Sequence, residues 1–476
     1  MSRPQSPPLP SGQVMDLYAN AIAYFMPDLW DMIRQFADQR KPQCCLYSAP
    51  NLIATALMGY LSSLPSFRQI DRALGGDPNV MDNIGILCGS PAPAVARGET
   101  INYYLAGLAE RWLADVLEHA VFNLLKAKRL EVCRERLANT ILVAADGTGL
   151  TSTTRPIAHS TTRHHGDGTL AYHAYVLLLS FVSPHGIILP FMREFVENGD
   201  DYEPEFQKQD CELKAQTKAF ALLKKNHPML RLTVLLDALS LNYDMMDMFR
   251  HYGWHFCISH AEDKVPGLRD QLAKKLAAGE FRTTVQEIPG KNGKTIQTYR
   301  AVDIKYAFGK GREPGAIAVP VTYVDMKRVI LDDNNQEVES KKYSRVTSHV
   351  IKTANQMVTF FEDIGCTRWV EENQGFNEMK NLGLNIEHAY GTKGEALKNH
   401  FTLQMIAFNI MQLAGKTNLI ELVARDVNGG GNVSGSLRII FKSLAATARA
   451  FLNNLKNQAL RLLEDYSSWR IRWLTG

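Results

Sequence analysis

Three carboxylates in the sequence occupy positions where an acid is expensive unless it has work to do. Asp146 closes the apolar run ILVAA and is followed at once by Gly147 and Thr148. Asp237 closes TVLLD in the same way, ahead of a helical stretch. Glu372 lies in TRWVEENQGFNEMKNLG, which reads as helix. An ionised carboxylate ending a buried strand costs free energy unless it caps a turn or meets a cation. For Asp146 a cap on the glycine turn accounts for the residue equally well. Arg368, Glu372 and Phe376 recur four apart on one helix face, with Lys380 two turns beyond Glu372. Taken alone, that spacing is a surface ion pair between Arg368 and Glu372. Together the three acids support more. Mg²⁺ prefers oxygen ligands, usually one or two carboxylates with water and substrate phosphate. Two strand ends and a helix can bring three carboxylates around a pair of ions ~4 Å apart, an arrangement suited to phosphodiester chemistry. Arg368 or Lys380 would then hold a DNA phosphate.

Other groupings carry less. His159, His164, His165 and His173 are dense, but no cysteine or H-x-x-x-H spacing accompanies them, so a polar loop is expected rather than a transition-metal site. Asp210, Cys211 and Glu212 open a helix, where acids are favoured by the helix dipole. Basic residues gather at Lys126, Lys128 and Arg129, at Lys224 and Lys225, and at Lys456, Arg461, Arg470 and Arg472. Solvated helix faces carry such groups as often as phosphate contacts do. Only the last set, interleaved with Trp469 and Trp473, suggests a role with DNA or in dimerisation.

The elements that must position these residues follow from periodicity. Residues 11 to about 138 are helical in texture, with apolar residues recurring at three and four. Asn51–Leu61 and Phe67–Leu74 flank a Ser/Pro connection and read as an ordinary helical hairpin or a helix-turn-helix. Near residue 140 the pattern changes to three strands, ILVAADGTGL, AYHAYVLLLSFV and GIILPFMREFV. CELKAQTKAFALLKKN then reads as helix, RLTVLLDALS as strand, MMDMFRHYG as helix and WHFCISH as strand. Three consecutive strands followed by alternation predict a mixed α/β sheet. From 264 to 350 the texture is β-rich, with hairpin turns at Gly290-Lys291-Asn292-Gly293 and at Asp332-Asp333-Asn334-Asn335. Helix resumes near Thr353, Gly429–Gly431 marks a loop, and a basic helical tail is expected at the end.

A chain of 476 residues implies two or three domains. We divide it into a helical region 1–138 for DNA binding or dimerisation, a catalytic core 139–263 and 351–425, an insertion 264–350, and a helical tail 426–476. The net charge of +4 is too small to announce a nucleic-acid partner by itself. No run of 18 apolar residues is present, so no membrane span is expected. The seven cysteines are scattered without a C-x-x-C pair, and the Pro-rich start lacks an apolar signal segment. A reducing cytoplasm is the expected compartment.

The order strand-Asp, two strands, helix, strand-Asp, helix, strand, insertion, helix-Glu resembles the ribonuclease H-like core of DDE transposases. More narrowly it resembles bacterial insertion-sequence transposases whose β-rich insertion separates the second Asp from the Glu. DGT at 146–148, LLDAL at 235–239, KQDCELKA at 208–215, RWVEENQGFNEMKN at 368–381 and HAYG at 388–391 carry the likeness. It runs from about residue 95 to 420, and the Glu-helix string is its most specific part. Family spacing selects Glu372 over Glu371, whose side chain would point about 100° away. Three departures are visible. Gly365 stands where the signature has Tyr, Lys380 falls one residue late, and Ser240 replaces a frequent Tyr. The resemblance implies an α/β fold with a ribonuclease H-like mixed sheet, an N-terminal helical domain and a β-rich insertion subdomain. It implies a transposase that cuts mobile-element ends and joins them to target DNA, with Asp146, Asp237 and Glu372 holding Mg²⁺ (or Mn²⁺) and Arg368 and Lys380 assisting. Double-stranded DNA, as terminal inverted repeats and target, is the implied partner, with a homodimer in the DNA complex and a bacterial, nucleoid-associated setting. A catalytically silent DNA-binding relative and a ribonuclease H-like nuclease are the alternatives.

Overall fold

The computed structural model describes residues 14–164, 169–198, 211–261, 264–290, 293–309, 315–381, 383–428, 444–463, 466 and 470–474. Among the described residues, seven α-helices come first: α1 (Val14–Phe25), α2 (Leu29–Arg34), α3 (Ala49–Leu61), α4 (Phe67–Leu74), α5 (Pro78–Cys88), α6 (Gly98–Gly107) and α7 (Glu110–Lys126). The hairpin read at 51–74 is α3 and α4. All thirteen residues of α3 are buried, whereas α4 buries only Ile70 and Leu74.

The sheet begins with β1 (Ile141–Thr153), β2 (Thr161–His164), β3 (Leu170–Val182) and β4 (Ile188–Val196). β3 pairs antiparallel with β1 along one edge, and with β2 and then β4 along the other. Helix α8 (Glu212–Asn226) leads to β5 (Leu232–Leu236), which pairs parallel with β1. Helix α9 (Tyr243–Tyr252) leads to β6 (His255–Ser259), parallel to β5. Every residue of β5 is buried, as expected of a parallel strand covered on both faces. The three long strands, α8, β5, α9 and β6 follow the sequence expectation; β2 was not expected.

The segment 264–350 differs from its expectation in two ways. It opens with a helix, α10 (Pro266–Ala277), before β7 (Arg282–Gly290), β8 (Gly293–Gly309), β9 (Ala316–Leu331) and β10 (Glu337–Thr347). These four strands form an antiparallel meander. The meander is not a separate sheet, because β10 pairs antiparallel with β6 and extends the central sheet in the order β2-β3-β1-β5-β6-β10-β9-β8-β7. The exposed edge of β6 would otherwise leave its backbone polar groups unpaired, and β10 covers it. The turn Asp332–Asn335 forms as read, with Asp332 accepting from the backbone N–H groups of Asn334 and Gln336. Lys291 and Asn292 of the other turn lie outside the described residues.

After the meander come α11 (Ala354–Phe360), α12 (Arg368–Val370), α13 (Asn377–Asn381), α14 (Ala396–Gly415), α15 (Leu419–Asn428) and α16 (Leu444–Asn457). α14 is buried along nearly its whole length and lies between β4 and the helices α1, α3, α6 and α7. The expected helical tail at 426–476 is also revised. Helix α16 packs on α1 and α5, so it completes the N-terminal helical layer. The described residues after it are not helical. Gly429–Gly431 and Trp469 lie outside the described residues. Among the described residues, no helix is long and apolar enough to cross a membrane.

Candidate active site

Asp146 does not end its strand. β1 continues to Thr153, and Asp146 pairs with Leu178 of β3. What ends there is the parallel pairing, whose last matched residues are Ala144 and Leu235. Asp146 and Asp237 each lie two residues beyond that pair, so strand alternation puts both on one side of the sheet at the same end. Asp146 accepts from the N–H of Gly147 at 3.0 Å. Asp237 caps the 3₁₀ turn Ala238–Ser240, accepting from the N–H of Leu239 at 3.1 Å.

The third acid arrives on an irregular helix. Between α11 and α13 the chain makes π-type turns at Phe361–Gly365 and Glu371–Phe376, a departure from α geometry often found at functional sites. Arg368 crosses to the sheet and ties the parts together. Its Nη1 donates to Asp146 Oδ2 at 3.0 Å and its Nη2 lies 3.5 Å from Glu372 Oε2. The bland ion pair from Arg368 to Glu372 is thus present, but the same guanidinium also holds Asp146. The adjacent Glu371 turns inward and is fully buried. Its Oε1 accepts from Ser180 Oγ at 2.9 Å, and burial followed by the charge of Asp146 pushes its carboxyl well above the usual range. Gly365 sits where a Cβ would come within 2.6 Å of the Phe361 ring, and its carbonyl accepts from Arg345 Nε at 2.7 Å. Aromatic packing by Phe361 fills the space beside this position.

Two further residues adjoin these acids: Glu212, which the sequence reading set aside as a helix-start acid, and Tyr175, which it did not single out. Glu212, the first residue of α8, accepts from Tyr175 Oη at 2.9 Å. Its carboxyl is raised by burial, and the charges of Asp237 and Asp146 raise it further. Glu212 also accepts from Gln216 Nε2 at 3.4 Å, and Gln216 Oε1 accepts from Ser240 Oγ at 2.8 Å. The acid at a helix start was therefore not there for the dipole alone. Tyr175 lies directly over Gly147, where a Cβ would approach its Oη to 2.3 Å. The only signal available was the Gly after Asp146, which a turn explained as well.

Lys380 is not brought to these acids; it pairs with Glu387 at 2.8 Å. His159 bonds Glu197 at 2.6 Å and lies 3.3 Å from Glu395, beside the Lys398–Glu197 pair. His165 and Asp210 lie outside the described residues.

The electrostatics are those of an acidic cluster with too little positive charge of its own. Asp146 is raised by burial above all; Arg368 opposes this, while Asp237 and Glu372 add to it. Asp146 thus feels Arg368, Asp237 and Glu372, and Glu212 feels Asp237 and Asp146. Oxygen donors with surplus negative charge suit a hard divalent cation, and perturbed acids of this kind concentrate at functional sites. Among the described residues, however, no three His, Cys, Asp or Glu side chains stand close enough to hold a metal ion as placed. Arg368 lies between Asp146 and Glu372 instead. No family model matches the chain, and no curated protein matches it.

Proposed function

We propose that the chain is a DNA transposase of the DDE class, cutting phosphodiester bonds at the ends of a mobile element and joining those ends to target DNA. The observation that carries this reading is the meeting of Asp146 and Asp237, from adjacent parallel strands, with Glu372 through Arg368. The strand order β4-β3-β1-β5-β6, an antiparallel meander continued by two parallel strands, supports a ribonuclease H-like core. The β7–β10 meander stands between the second Asp and the Glu, as that reading requires.

Asp146, Asp237 and Glu372 would hold Mg²⁺ or Mn²⁺. Such ions supply positive charge that activates an attacking oxygen and offsets charge on the leaving one. The chain's own residues do the rest. Arg368 keeps Asp146 and Glu372 in register and is placed to take a DNA phosphate once the acids have another cation. Tyr175 fixes Glu212 beside Asp146 and Asp237. Glu371, buried against Ser180, anchors the π-turned helix from behind. Duplex DNA and a homodimer on paired ends belong to the same proposal.

A labelled element end, incubated with the full-length protein in Mg²⁺ and a target plasmid, tests it. Nicking plus joined product is expected from the wild type and neither from Asp146→Ala. Nicking without joining would favour a nuclease. Retained nicking in Asp146→Ala would remove the assignment.

A further inference from the structure

Two basic clusters far apart in the sequence meet beyond the end of α7. Lys128 and Arg129 come from the turn that follows it, where Lys128 takes a left-handed backbone with φ 55°. Arg470 and Arg472 come from the segment 470–474, which lies against the chain just after α14. Thr417 bridges Trp473 in antiparallel fashion. Asn418 N donates to the carbonyl of Arg472 at 3.0 Å, and Arg472 N donates to Asn418 Oδ1 at 2.7 Å. Arg470 and Arg472 are both exposed, and both line the cavity that lies here. Trp473 fastens the two clusters, donating from Nε1 to the carbonyl of Arg129 at 2.6 Å. A cavity of about 460 Å³ opens between them, a size at which ligand pockets are found (~300–1,000 Å³).

The cavity is charged and pre-organised. The Arg129 guanidinium rests over the Tyr24 ring at 4.3 Å, which holds it without neutralising it. Glu131 is the one carboxylate among the described residues lining the cavity, and it is paired with Arg134 at 2.8 Å. Among the described residues, no carboxylate forms an ion pair with Lys128, Arg129, Arg470 or Arg472. Converging cations with no counter-charge repel one another, and an anion relieves that repulsion. The aromatic groups are already engaged, Tyr24 under Arg129 and the Trp473 N–H on a carbonyl. The feature that distinguishes the cavity is its uncompensated positive charge, which suits phosphate.

We propose that this cavity holds backbone phosphates of duplex DNA at a second site, separate from the acidic cluster. This rests on the reading of the chain as a DNA-cutting enzyme. The test measures binding of the full-length protein to a labelled random-sequence duplex by fluorescence anisotropy, in Ca²⁺ and over a range of salt. Each lost phosphate contact lowers the slope of log K against log salt by roughly 0.9. Arg470→Gln/Arg472→Gln is therefore expected to flatten the slope by about 2 and weaken binding at least tenfold, at unchanged melting temperature. Arg470→Lys/Arg472→Lys, which keeps the charge, should retain the slope; equal loss in both pairs would overturn the proposal. Wild-type duplex affinity in the Gln pair would also overturn it. If that pair instead loses only inorganic tripolyphosphate, the cavity serves a free phosphorylated compound and not DNA. Duplex binding by the wild type with no change in the variants sinks this site alone, whereas no duplex binding by the wild type sinks the transposase reading with it.

Discussion

At the scale of single residues, the site depends on which side chains hold the acids in place. Tyr175 is the most informative. Its hydroxyl is the donor to Glu212 Oε2, and Glu212 shares the field of Asp146 and Asp237. Tyr175→Phe removes a hydrogen bond to a charged group, worth ~1.5–3 kcal/mol. We expect cleavage to fall at least tenfold while duplex binding holds; unchanged cleavage would reduce the Tyr175–Glu212 pair to packing. Asp146 and Asp237 were legible in the sequence because an apolar strand carrying a carboxylate is costly and therefore conspicuous. Glu212 was not, because a helix start explains an acid cheaply. Glu371 and Glu372 were separable only through the spacing from Arg368. Burial separates them physically, since Glu371 is sealed against Ser180 whereas the Glu372 side chain is 49% exposed. The fate of Lys380 was hidden because its partner, Glu387, lies beyond the end of α13, where helical spacing says nothing.

At the scale of elements, the sheet and the irregular helix are locked together by Arg345 of β10. This side chain is 5% exposed, and its Nε donates to the Gly365 carbonyl at 2.7 Å. Arg345→Leu leaves that carbonyl unpaired and is expected to destabilise the fold by about 2–3 kcal/mol. The accompanying drop in cleavage should exceed any drop in duplex binding, because the helix that carries Glu372 loosens while basic surfaces stay put. A thermal melt and the two assays together check this, and equal losses in both would contradict it. A second element-scale expectation concerns α1. Asp16 accepts from the N–H of Arg461 at 2.9 Å, and burial raises its carboxyl from 3.8 to about 6. The native state thus holds that proton more tightly than the unfolded chain. Its stabilising effect is complete below the unfolded value and disappears as pH rises through about 6, a change on the order of 2–3 kcal/mol. Asp16→Asn keeps the acceptor and removes the titration, so melting temperature measured across that pH range should decline less than in the wild type. An unchanged decline would show that Asp16 does not control it. Elements were legible where period and turn chemistry agreed, as in the Asp332–Asn335 hairpin. The pairing of β10 with β6 was not, because sheet neighbours far apart in sequence leave no local trace.

At the scale of the whole molecule, one continuous sheet joins the core strands to the β7–β10 meander, and helices from both ends of the chain pack together. α14 lies between β4 and the N-terminal helices, and α16 returns to pack on α1. Cuts at the expected boundaries near 138 and 426 therefore expose core on both sides. The same continuity allows β1, β5 and the chain after β10 to meet at a single site, and that meeting is the central claim. It is tested most directly by single substitutions assayed twice, for cleavage of a labelled element end in Mg²⁺ and for binding of the same end in Ca²⁺. Asp146→Ala, Asp237→Ala and Glu372→Ala should each abolish cleavage and leave binding near the wild-type level, since affinity comes mainly from basic contacts elsewhere. Glu371→Gln, which keeps the buried shape and the acceptor for Ser180, should still cleave. Cleavage retained in Asp146→Ala or Asp237→Ala would contradict the account, and a dead Glu371→Gln beside an active Glu372→Ala would move the third acid to the neighbouring residue.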